Sequence, residues 1–202
     1  MSGALVVGAS GATGSLLVAE LLDRGIDVYA IVRPSSSQMD KFGRFPNYHE
    51  ISASIGEMSE SDLIPLLNES NFVFSCLGHN LTLKGVYGKP RRLVTDAIQK
   101  ISGAIQTLKP DRKIKIVLMN TTGNSNRDIP EVPPLYQRIV VSIVRVVVPP
   151  HADNEQAADF LRCNIGQDDQ FIEWVVVRPD GLTNEDSVTQ YSVHPSPTRN
   201  VI

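Results

Sequence analysis

Seven residues near the start of the chain constrain it most: Gly8-Ala9-Ser10-Gly11-Ala12-Thr13-Gly14. They follow the apolar run Ala4-Leu5-Val6-Val7. They lead into a helical pattern over residues 15–24, where Leu16, Leu17, Ala19, Leu21 and Leu22 recur. Glycines at three-residue spacing between a strand and a helix have separate duties. Gly8 permits a tight turn, Gly11 lets backbone approach a pyrophosphate, and Gly14 lets the helix pack close to the sheet. The helix start that follows offers N–H groups and a positive dipole end to phosphates. Ser10 and Thr13 add hydroxyl donors. Gly25 reads as the C′ residue that ends the helix. The alternative is a glycine-rich turn with no ligand.

Further β-branched apolar runs follow at residues 28–32, 48–51, 72–76, 114–119 and 172–177. The run at 48–51 is the weakest. Between them lie helical patterns at 61–67, 93–108 and 157–163. Continuous apolar strands suit a parallel sheet covered on both faces. Strand–helix alternation therefore predicts an α/β fold: a doubly wound parallel sheet with helices on both faces, of Rossmann type. The 202 residues fit a single domain, residues 1–202, with an irregular polar tail from about Thr183. Asn, Asp and Pro between 124 and 134 mark a long loop after the fifth strand, on the edge where such folds bind ligands.

Composition excludes several classes. A net charge of -3 gives no global field for nucleic acid or anionic lipid. The start of the chain lacks a basic n-region and does not read as a signal peptide. The apolar stretch 139–148 contains Ser142 and Arg145 and falls short of the roughly 20 residues a membrane span needs. Cys76 and Cys163 read as reduced thiols, which points to the cytoplasm, and no metal-ligand spacing occurs.

The end of the second strand selects the cofactor. An NAD site carries an acidic residue there, about 20 residues past the glycines. This chain has Val32-Arg33-Pro34-Ser35-Ser36-Ser37 instead, and Asp27 lies at the wrong end of the strand. An arginine fits a 2′-phosphate through charge-assisted bonds, and Ser35 and Ser36 can complete the cradle. NADP(H) is therefore expected, the alternative being a solvated surface arginine.

With these residues in view, the chain resembles the atypical short-chain dehydrogenase/reductase family. The resemblance is to the single-domain branch of biliverdin reductase B-like and NmrA-like proteins. Residues 8–14, Arg33-Pro34-Ser35, Cys76-Leu77-Gly78 and Val177-Arg178-Pro179-Asp180-Gly181-Leu182 carry it. The resemblance implies that Gly56 and Glu57 lie by the adenine, and that Leu77 and Gly78 back the ribose. It also implies that Asn120, Thr121 and Thr122 border the nicotinamide, with Pro179 and Leu182 near its carboxamide. It implies a further helix beyond residue 202, so the chain is either truncated or lacks that helix.

The family's main branch uses a Tyr-x-x-x-Lys pair, with both groups facing the substrate one helical turn apart. No such pair exists here. Tyr87 precedes Arg91 by four, but Pro90 interrupts any helix. His151 and Glu155 align with the missing pair. Hydride transfer to a flavin, quinone or similar conjugated ring does not need that pair, because the cofactor carries the chemistry. Thr121 or Thr122 would then hydrogen-bond a small-molecule hydride acceptor and His151 would donate a proton. Otherwise His151 is a loop histidine after Pro149-Pro150. Lys84, Lys89, Arg91 and Arg92 form a basic cluster, read first as a solvated face, and His79 and Asn80 border the same loop. Two further readings stand beside the reductase: an NADP(H)-binding redox sensor without turnover and, more remotely, a sugar-nucleotide epimerase or dehydratase. The expected state is a monomer or weak homodimer.

Overall fold

The computed structural model describes residues 3–78, 91–124, 127–128, 149–179, 182–183, 185 and 187–195. Six strands form one sheet: β1 (Gly3–Val7), β2 (Asp27–Val32), β3 (Tyr48–Ser52), β4 (Phe72–Ser75), β5 (Ile114–Met119) and β6 (Ile172–Val177). Their order is β3-β2-β1-β4-β5-β6, and every pair is parallel. This is the doubly wound Rossmann order, which reverses direction between β1 and β4. The expected fold class is observed, and even the weak third run forms an edge strand.

Helices α1 (Ala12–Asp23), α2 (Met39–Phe42), α3 (Glu60–Asn68), α4 (Leu93–Leu108) and α5 (Pro149–Phe160) cover the sheet. Alternation along β1 shows how. Ala4 and Val6 pack with Val18, Leu21, Leu22 and Phe42, so α1 and α2 cover one face. Leu5 and Val7 join Leu63, Leu67, Ile98, Ile101 and Leu161 on the face covered by α3, α4 and α5. All of β1 is buried, as a central parallel strand must be.

Helix ends follow their chemistry. Helix α1 begins at Ala12, three residues before the predicted pattern, because Ala12, Thr13 and Gly14 of the turn form its first residues. Gly25, at φ +71°, closes it: its N–H donates to Leu22 and that of Ile26 to Leu21. Helix α3 starts in a reciprocal capping box between Ser59 and Asp62. Helix α5 begins at Pro149, eight residues before the segment 157–163 expected to lie in a helix, and runs into a π-helical turn over Leu161–Ile165. Proline is compatible with a helix's first turn, where an N–H has no partner to lose. His151 is therefore helical, which corrects its reading as a loop residue. The tail residues 187–195 are exposed and form no helix or strand. No helix among the described residues is long and apolar enough to cross a membrane.

Candidate functional site: a dinucleotide turn facing a polar shelf

The turn after β1 sits at the point where strand order reverses. Gly8 has φ +78°, a backbone region that L side chains rarely adopt. A Cβ on it would lie 2.6 Å from the backbone of Cys76, just past β4. The two strand ends thus meet backbone to backbone, and Leu77 lies against the turn. Gly11 N donates to Gly8 O at 3.1 Å, and Ser15 N to Gly11 O at 2.8 Å. A Cβ on Gly14 would stand 2.1 Å from Gly8 O, so the helix packs where only glycine fits. Beside Gly11 a Cβ would meet only Gly8 O, at 3.3 Å. That contact is tight, but far less so than the one at Gly14.

Gly11 caps α1 without any side-chain bond, and the first turn holds no acidic residue. Its leading N–H groups and dipole are left for an outside anion. Among the described residues the Ser10 and Thr13 side chains make no hydrogen bond. These observations fit the pyrophosphate of a dinucleotide.

Arg33 follows β2 and precedes a single 3-10 turn over Pro34–Ser36. Its side chain is exposed, and among the described residues it makes no hydrogen bond or ion pair. Ser36 N donates to Arg33 O at 2.8 Å, which closes the turn carrying Ser35 and Ser36. Glu50 on β3 anchors the next two residues. It accepts from Ser37 Oγ at 2.5 Å, Gln38 N at 2.7 Å and Tyr48 Oη at 2.8 Å. Burial alone would raise the Glu50 carboxyl, but these bonds outweigh it and hold the group below its ordinary range. Burial, then the bond to Glu50, pushes the Tyr48 phenol up.

Gly56 and Glu57 lie exposed in a turn after β3. Lys100 of α4 organises it: the ammonium donates to the carbonyls of Ile55 at 2.9 Å, Gly56 at 3.0 Å, and Met58. Leu77 is half-buried and Gly78 exposed. Burial lifts the nearby Cys76 thiol to about 11, so it is protonated at neutral pH.

At the other end of the site, a shelf forms past β5. Asn120 is buried. Its Oδ1 accepts from Thr121 N at 2.8 Å and from Asn124 Nδ2, while its Nδ2 donates to Asn154 O at 3.0 Å. Thr121 Oγ1 accepts from Gly123 N at 3.0 Å. A Cβ on Gly123 would lie 3.1 Å from Thr121 Oγ1 and 3.3 Å from the His151 ring. Thr121 and His151 therefore share one neighbourhood. His151 Nε2 stands 3.8 Å from Glu155 Oε1, with 11% of each side chain exposed. Thr122 N donates to Pro179 O at 3.3 Å, which joins the β5 and β6 loops. Leu182 is 65% exposed and packs into no core.

Asp153, on the opposite side of α5's first turns, holds the shelf to α4. It is buried and accepts from Val94 N at 2.8 Å, Thr95 N at 2.9 Å and Thr95 Oγ1 at 2.6 Å. It thus caps α4 from another helix. Among the described residues no cluster of His, Cys, Asp or Glu suits a metal. His79, Asn80, Lys84, Lys89, Asp180, Gly181 and the stretch 139–148 lie outside the described residues. Arg91 and Arg92 are exposed, and Arg92 pairs with Asp96 at 3.6 Å.

Fold and turn together define a dinucleotide-binding domain. The chain belongs to the NAD(P)H-binding family, which it matches over residues 8–200. No curated protein matches it. Solved structures share the fold at low identity. A Lactobacillus casei protein superposes with a TM-score of 0.64 at 18% identity, covering 88% of this chain and 73% of its own. The oxidoreductase ylbE of Lactococcus lactis gives 0.61 at 14%, covering 92% and 72%. UDP-glucuronic acid 4-epimerase of Bacillus cereus, solved with UDP-glucuronic acid and NAD, gives 0.62 at 17%, covering 87% and 55%. The chain thus spans about half the length of that epimerase.

Proposed function

We propose that this protein is an NADPH-dependent reductase that delivers hydride to a flavin, quinone or similar conjugated acceptor. The observation that carries the reading is Arg33: an exposed guanidinium with no partner among the described residues, where an NAD site has a carboxylate. Gly8, Ser10, Gly11, Ala12, Thr13 and Gly14 would hold the pyrophosphate. Arg33, Ser35 and Ser36 would hold the 2′-phosphate. Gly56 and Glu57 would flank the adenine, with Leu77 and Gly78 behind the ribose. Asn120, Thr121, Pro179 and Leu182 would border the nicotinamide. When bound, the reduced nicotinamide supplies the hydride.

The chain's own residues then orient and protonate. Thr121 or Thr122 holds the acceptor by a hydrogen bond. His151, beside Thr121 and one helical turn from Glu155, gives the proton that follows the hydride. Changing Arg33 to Ala should weaken NADPH binding on the order of 10- to 100-fold and leave NADH binding nearly unchanged. Equal losses for both would remove the 2′-phosphate role.

A second reading, an NADP(H)-binding redox sensor without turnover, is favoured by the absence of Tyr-x-x-x-Lys. It predicts a change of oligomeric state or partners when NADPH is added. Behaviour unchanged by NADPH contradicts it.

A further inference from the structure

The turn after β3 is held from within and from outside. Ser54 O accepts from Glu57 N at 2.9 Å and from Met58 N at 3.2 Å, and Ile55 and Met58 are buried in the core. Those contacts already close the turn and anchor it. Lys100 of α4 adds something different. Its ammonium spends all three donors on main-chain carbonyls, those of Ile55 at 2.9 Å, Gly56 at 3.0 Å and Met58. Three carbonyls converging on one cation fix the tilt of three peptide planes.

A trans peptide points its N–H away from its carbonyl. The N–H groups set by Lys100 are therefore those of Gly56, Glu57 and Ser59. Glu57 N donates to Ser54 O, and Ser59 N to Asp62 Oδ2 at 2.8 Å. Gly56 N makes no hydrogen bond among the described residues. Gly56 is exposed, and a Cβ on it would meet only Ser54 Oγ, at 3.9 Å. Lys100 thus turns one unspent donor away from itself, on backbone that a flat group can approach.

The place of the turn selects that group. Ser52, the last residue of β3, registers with Val32 of β2, and Ile31 with Val7 of β1, so the three strands end on one edge. In a doubly wound sheet that edge takes the dinucleotide, and the end of β2 meets the adenosine ribose. The base beyond that ribose is flat and its ring nitrogens accept hydrogen bonds.

We infer that Lys100 is a positioning residue for adenine, holding the turn after β3 so that Gly56 N–H donates to a ring nitrogen of the base. The inference rests on the adenine placement proposed for Gly56 and Glu57, but not on NADP selectivity, because both cofactors carry the same base. NADPH, NADH and ADP are titrated into the full-length chain and its Lys100→Met, Lys100→Gln and Gly56→Val variants, with melting temperature recorded for each. ADP carries adenine and pyrophosphate without nicotinamide or 2′-phosphate. Lys100→Met keeps the aliphatic stem and removes the ammonium. It should raise the Kd of all three ligands by a common factor of about fivefold or more, with the NADPH-to-NADH ratio unchanged. Lys100→Gln keeps two donors and should weaken all three by about threefold, which serves the same test if Lys100→Met does not fold. Gly56→Val places a side chain in open space at a backbone without positive φ, so its melting temperature should hold while all three ligands weaken. Folded Lys100 variants whose Kd values all stay within about twofold of the unaltered protein overturn the inference. A loss that ADP does not share, or one confined to NADPH, also overturns it. Normal binding by Gly56→Val overturns the adenine placement and this inference with it. Equal affinity of the unaltered protein for NADPH and NADH removes the NADPH reading alone.

Discussion

The two ends of the site are built by different means. The glycine end is made of backbone: a positive φ at Gly8, a helix start that no side chain caps, and contacts where a Cβ has no room. Its parts lie within seven consecutive residues. The shelf end is made of side chains from distant segments. Asn120 and Thr121 come from the end of β5, His151, Asn154 and Glu155 from α5, and Asp153 ties α5 to Val94 and Thr95. The first end has one geometry to offer, namely anion binding. The second positions groups by packing, so its chemistry can vary while the fold stays the same. A family that shares the turn can therefore differ in what it does at the shelf.

The largest effect should come from breaking the glycine end. Gly14→Ala drives a Cβ into the Gly8 carbonyl, which is backbone and cannot swing aside. It should cost roughly 3 kcal/mol of stability and abolish measurable NADPH binding, read by chemical denaturation and by fluorescence titration. A stable variant that binds NADPH normally would show that the turn tolerates expansion.

Asp153→Ala should come next, at about 2–3 kcal/mol. It leaves two buried N–H groups of α4 without their acceptor, while the Thr95 hydroxyl keeps the main-chain carbonyl of residue 153. Denaturant midpoints check this. The comparison is sharpened because its NADPH affinity, measured where the protein is folded, should hold.

His151→Ala should act only at the shelf. Turnover should fall on the order of 100-fold through loss of the proton donor, with NADPH Kd unchanged. An unchanged kcat would remove His151 from the chemistry and leave it a packing residue of α5.

The smallest effect concerns pH. Glu50 has its carboxyl held below the ordinary range in the folded protein, so its contribution to stability is present above the unfolded carboxylate value. It is lost as pH falls through the lowered folded value. Melting curves between neutral pH and about pH 3 should show a smaller acid-induced drop in Glu50→Gln than in the unaltered protein.

Legibility in the sequence follows the same division. The turn is legible because its requirements are local: glycine spacing, an apolar run before it and a helical pattern after. The sheet order agrees with strand–helix alternation and the rules for parallel connections. Helix α5 reads too short because His151, Asp153, Asn154 and Glu155 break the apolar pattern. His151 lies by Gly123, Asp153 is buried against α4 and the main-chain carbonyl of Asn154 accepts from Asn120, so periodicity misses polar residues that pack inward on two sides of the helix. Lys41, Lys100, Glu50 and Asp153 escape a sequence reading for one reason. Each acts on partners 12 to 59 residues away or reaches across to another element, and nothing in local spacing marks that. Thr121 and His151, thirty positions apart in the chain, are paired only through the resemblance; the fold does bring them together.

The proposed reductase would combine NADP selectivity at Arg33 with hydride transfer at the shelf. NADPH consumption by the purified protein, followed by absorbance with FMN as acceptor and NADH as control, tests it most directly. Turnover with NADPH well above that with NADH is the predicted result. NADPH bound but not consumed, with FMN or with a broad panel of quinones and other conjugated acceptors, would contradict the reductase and favour the sensor.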